Sequence, residues 1–137
     1  MDVKIQIIFA LILINANSWS DAVAQETDCN NPGNQSEINE CAWREYRASD
    51  RELNAVYKIV IDISKEVDED PPWGVNISIT ETLREAQRKW IPFRDKFCLA
   101  SSVFSSGRGS MQIAEQAACL EELTRKRTAE LKYFFNQ

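Results

Sequence analysis

The chain has 137 residues, with 16 basic and 21 acidic side chains for a net charge of −5, four cysteines and no histidine. An acidic balance argues against nucleic acid as a partner and for a basic protein. Without histidine there is no imidazole metal ligand and no usual neutral-pH general base, and cysteines that are all bonded leave no thiolate nucleophile.

Residues 1–24 read as a secretion signal. Lys4 precedes an apolar run from Ile5 to Ile14 that is too short to span a bilayer, and Ala22-Val23-Ala24 offers small residues to a signal peptidase. Cleavage before Gln25 leaves 113 of the 137 residues as one domain, 25–137, with no membrane span. Asp2, Asp21 and Lys4 depart, so the charge of −5 becomes −4. No cysteine directly follows the apolar run, so a lipid anchor is not expected. All four cysteines remain, and an even count in an exported chain reads as two disulfides with three pairings open. The expected location is the periplasm or the medium.

Residues 25–35 read as an extended arm, tethered by Cys29 and turning at Asn31-Pro32-Gly33. A first helix follows. Ile38, Ala42, Tyr46, Ser49, Leu53, Val56, Val60, Ile63 and Val67 recur at three- and four-residue steps, and Asn34 with Glu37 has capping-box spacing. Trp43 lies off this stripe, in position to pack under the arm. Pro71-Pro72 and Gly74 end the helix. The acids Asp68, Glu69 and Asp70 oppose the macrodipole at its C-terminus, so the reading there is a solvated loop beside Trp73. Its functional alternative is a contact for a cationic partner through Asp68, Asp70 and Trp73.

The second helix opens at Ser78, with Glu81 in capping position, and carries Ile79, Leu83, Ala86, Trp90, Phe93 and Phe97 as its apolar stripe. Trp90, Phe93 and Phe97 are assigned to the core. Pro92 removes one backbone hydrogen bond and clashes with the Arg88 carbonyl, at a cost of about 3 kcal/mol, which predicts a kink near Trp90 or a stop and restart. Arg94 and Asp95 are read as structural, Arg94 pairing with a carboxylate of a neighbouring helix.

Residues Ser101–Ser110 are small, polar and glycine-rich, which predicts a loop. It serves either as a plain connection or as a flexible tip whose Ser105, Ser106, Arg108 and Ser110 enter a cleft. Ser110 is in place to cap a third helix striped by Ile113, Ala117, Leu120, Thr124, Thr128, Leu131 and Phe135. The fold class is therefore all-α, an antiparallel three-helix bundle with an extended N-terminal arm and two disulfides.

Carboxylate runs exist at Asp68-Glu69-Asp70 and Glu121-Glu122. Glycoside hydrolysis, however, needs two carboxyls facing across a cleft, which a bundle of this size does not offer. The chain is not expected to be an enzyme, and no cofactor or metal is expected.

The segments Cys29…Gln35-x-Glu37-x-Asn39-x-Cys41-Ala42, Leu53-Asn54-x-x-Tyr57, Gln87-x-x-Trp90-x-x-Phe93-Arg94-Asp95-x-x-Cys98, Gly109-Ser110 and Cys119…Thr124-x-x-Arg127-x-x-x-Leu131 together resemble the LprI-type lysozyme-inhibitor family. The resemblance spans residues 29 to 131, with Pro92 and the missing lipoprotein junction as departures. It implies a small exported helical domain of the bacterial envelope with Cys29–Cys41 and Cys98–Cys119 bridges. The rival pairing, Cys41 with Cys98 and Cys29 with Cys119, stays sterically open on the residues themselves. The implied function is non-covalent binding to a basic lysozyme-type cell-wall hydrolase, with its cleft blocked. The other reading is an envelope interaction, scaffold or immunity-type protein with a different partner. The two candidate contact loops fall at opposite ends of a bundle, and the glycine-rich one is favoured.

Overall fold

The computed structural model describes residues 27–74 and 76–135, with the side chain of Trp73 outside that description. The predicted secretion signal over 1–24 also lies outside the described residues. Three helices account for the fold: α1 (Gln35–Glu69), α2 (Ile79–Ser106) and α3 (Met111–Phe135), with one 3-10 turn, Pro72–Gly74, between the first two. At 1.5 Å per residue, the 35 residues of α1 span about 52 Å. No strand occurs among the described residues.

The helix ends follow from local chemistry. The Asn34 side chain accepts from the Glu37 amide at 3.0 Å, while Glu37 accepts from the Gly33 amide at 2.6 Å, so two otherwise orphaned donors are satisfied. Ser78 accepts from the Glu81 amide at 3.2 Å. At the other end of α2, Gly107 takes φ 63° and donates its amide to the Val103 carbonyl at 2.9 Å, a backbone shape that favours glycine.

α3 packs most extensively on α1, less on α2, and α1 touches α2 least. The apolar core occupies one half of the bundle: Leu53, Val60 and Ile61 from α1, Leu83 from α2 and Leu131 from α3, flanked by Val56, Tyr57, Trp90 and Phe135. The other half is built differently. Small buried residues, Ser49, Ser102, Ala114 and Ala117, let the helices approach closely, and Gln112 donates to the Ser102 hydroxyl at 2.9 Å. Cys98–Cys119 bridges α2 to α3 with Cα atoms 5.5 Å apart, and Cys29–Cys41 ties the arm to α1 with Cα atoms 5.6 Å apart. The arm lies along α1, with Thr27 donating its hydroxyl to Glu40 and accepting at its carbonyl from Arg44. Trp43 stands edge-on to Tyr46 with ring centroids 5.5 Å apart.

Three expectations change. α2 continues as helix to Ser106, so the predicted ten-residue loop shrinks to a turn around Gly107–Ser110; Ser and Val tolerate a helix when the staple at Cys98 and α3 hold it in place. α2 also runs through Pro92 as one element, which rules out a stop and restart. Finally, Phe93 and Phe97 are not core: they are 59% and 50% exposed. The buried face of α2 is Thr80, Leu83, Gln87, Arg94, Cys98 and Ser102, one residue round from the apolar stripe. The disulfide sets that rotation, because Cys98 must face Cys119 and Arg94 shares its face four residues earlier.

Candidate functional site

Arg94 is the node of the polar half. Its side chain is 5% exposed, and it donates from Nε to Asp95 at 2.9 Å and from one terminal nitrogen to Asp50 on α1 at 3.1 Å and to the Thr124 hydroxyl on α3 at 3.0 Å. The guanidinium lies between two rings, 5.3 Å from the centroid of Tyr46 and 5.1 Å from that of Trp90. Burial works against its charge, but the bonds to Asp95 and Asp50 outweigh it and raise its pKa further. Burial also pushes the Tyr46 hydroxyl up, against the pull of Arg94. Arg127 extends the network to Gln87 and Glu130, at 3.2 and 3.1 Å. The guanidinium itself is closed to solvent, while the Asp50 and Asp95 carboxylates that hold it reach the surface. The cluster fixes the three helices relative to one another.

The tip between α2 and α3 holds the favoured contact residues. Ser105 donates its hydroxyl to Glu115, which the Ser105 and Ser106 hydroxyls hold below the ordinary carboxylate range. The two serines therefore brace the turn from inside α2, and Arg108 and Ser110 stand exposed on it. Gly109 accepts from the Gln112 amide at 3.1 Å, the contact that opens α3.

The opposite end uses its acid inwardly. Asp68 is partly buried, and its oxygens accept from the Ile79 amide at 2.7 Å, the Thr80 amide at 3.0 Å and the Ser78 hydroxyl at 2.8 Å. Burial opposes its ionisation, but the bonds from Thr80, Ile79 and Ser78 prevail and lower its pKa to about 2. The expectation of a solvated loop at Asp68 is thus corrected. The acid that opposes the dipole of α1 satisfies the N-terminus of α2 instead. Asp70 stays exposed at the end of α1, and Trp73 contributes backbone to the 3-10 turn.

The 28 residues of α2, about 42 Å of helix, separate these two ends, so one flat surface does not reach both. Sequence reasoning missed Asp50 as the partner of Arg94. Its place beside the buried stripe, next to Ser49 and three residues before Leu53, was the available signal. Two apolar hollows of about 230 and 240 Å³ flank Phe135, and no carboxylate lines either of them. No helix among the described residues is long and apolar enough to cross a membrane, and none of their His, Cys, Asp or Glu side chains form a metal-holding group.

Comparison with known proteins adds the family. Residues 27–131 match the family described as lysozyme inhibitor LprI. A protein of Rhizobium meliloti (strain 1021), named uncharacterized protein R02472, is 37% identical over 123 residues, covering 88% of this chain and 88% of its own length. No solved structure matches.

Proposed function

The chain belongs to the lysozyme inhibitor LprI family, and from that premise we propose that it is an exported, non-catalytic inhibitor that binds a basic lysozyme-type hydrolase and obstructs its cleft. The observation that carries this reading is the extent of the match, which takes in the arm, both disulfides and nearly all of the three helices. Two stapled bridges fit an oxidising compartment such as the periplasm, in keeping with removal of residues 1–24. The tip is the proposed point of entry: a narrow turn, braced by Ser105 and Ser106, with Arg108 and Ser110 outward. Charge supports the encounter. α1 carries nine acidic side chains against five basic ones, so the long helix attracts a basic enzyme.

The test is a titration of lysozyme activity on cell walls with the oxidised protein. Dose-dependent inhibition, weakened by salt and lost on reduction, is the expected result. A flat titration by folded protein would move the function to an envelope interaction with another partner. If Ser106→Ala with Arg108→Ala left full inhibition, the contact would lie elsewhere on the bundle.

A further inference from the structure

The outer flank of α2 differs from the rest of the surface. Phe93, Phe97 and Phe104 follow one another at helical spacing with Ala100 between them, and the three rings are 59%, 50% and 94% exposed. Phe93 and Phe97 stack at 5.8 Å, and Phe93 to Phe104 covers about 16 Å of helix. A monomeric soluble domain rarely shows such a row without a use for it. Lys89 and Lys96, both exposed, lie along one edge of it at the same helical spacing. Glu85, four residues before Lys89, has ion-pair spacing with it, whereas the acid beside Lys96 on this helix, Asp95, is held by Arg94. As a whole α2 carries five basic against three acidic side chains, the reverse of α1.

We propose that this lysine-edged aromatic row docks on the surface of an anionic phospholipid bilayer. A helix that lies on a membrane places aromatic and aliphatic groups at the headgroup boundary and lysines against the anionic phosphates. The shape agrees, because the row is a convex ridge and the apolar hollows lie elsewhere, around Phe135. A ridge edged by lysine suits an anionic bilayer surface. The proposal stands apart from lysozyme binding, since it uses none of the residues from Ser105 to Ser110.

The experiment is co-sedimentation of the disulfide-bonded protein, secreted and with its N-terminus established by mass spectrometry, with vesicles. One set is equal parts phosphatidylglycerol and phosphatidylcholine, and the other is phosphatidylcholine alone. The expected result is salt-sensitive binding to the first set and at least tenfold weaker binding to the second. Lys89→Gln with Lys96→Gln weakens binding about thirtyfold, from about 1 kcal/mol for each lysine. Phe93→Ser, Phe97→Ser and Phe104→Ser together abolish it while helix content by circular dichroism is unchanged. No binding, equal binding to both sets, or binding that neither variant alters would overturn the proposal. So would self-association that the phenylalanine variant removes in the absence of vesicle binding, which would give the face to a second copy. The lysozyme titration is read on separate residues, so either idea can fail alone.

Discussion

The Arg94 guanidinium reaches the Asp50 carboxylate at 3.1 Å across 44 residues of sequence, joining the two helices that otherwise touch each other least. The same side chain binds Thr124, so one residue registers α1, α2 and α3 at a single level.

Removing Arg94 is therefore predicted to cost more than an exposed ion pair would. Asp50 and Asp95 are 38% and 53% exposed and can rehydrate, so Arg94→Ala should destabilise by about 2–3 kcal/mol, below the range for a fully buried pair. Arg94→Lys keeps the charge and loses the planar fork, for about 1–2 kcal/mol. Urea unfolding of both variants checks this. A loss under 0.5 kcal/mol for the alanine variant would remove Arg94 from its structural role.

Asp68 predicts an acid limb of the stability curve. Its folded pKa of about 2 lies below the ordinary 3.8, so its contribution is complete above pH 3.8 and is lost as pH falls toward 2. Asp68→Asn should lower Tm at neutral pH and flatten the Tm profile across that window. An unchanged profile would mean that the caps at Ile79 and Thr80 do not depend on the charge.

The two disulfides should not be equal. The Cys98–Cys119 bridge closes a separation of 21 residues between two helices, and loss of both sulfurs to serine is predicted to cost about 3 kcal/mol. The Cys29–Cys41 bridge spans 12 residues and holds the arm to one helix, so Cys29→Ser with Cys41→Ser should free the arm and lower Tm less. Thermal melts of the two serine pairs, with limited proteolysis of the arm, separate these outcomes.

The exposed phenylalanines predict a contrast with the core. Leu131 is 1% exposed, and Leu131→Ala should cost about 2–5 kcal/mol. Phe93→Ser should cost less than about 1 kcal/mol despite the larger side chain removed. Equal losses in urea unfolding would return Phe93 to the interior.

Spacing along the chain specifies three helices, their caps at Asn34 and Ser78 and the all-α class, though not the extension of α2 to Ser106. These are local matters of spacing and of orphaned amides near a suitable oxygen. The chain's resemblance to a family supplied the disulfide pairing, which the spacing of the cysteines left open. How α2 is turned depends on its neighbours in space. Hydropathy placed Phe93 and Phe97 inward, but the bridge at Cys98 and the carboxylate of Asp50 turn α2 so that Arg94 is buried and the two rings are exposed. Tertiary structure likewise gave Asp68 its role, because the amides it caps belong to another helix and lie 11 and 12 residues away. A buried charge is stabilised by partners distant in sequence, and no period within one helix encodes them.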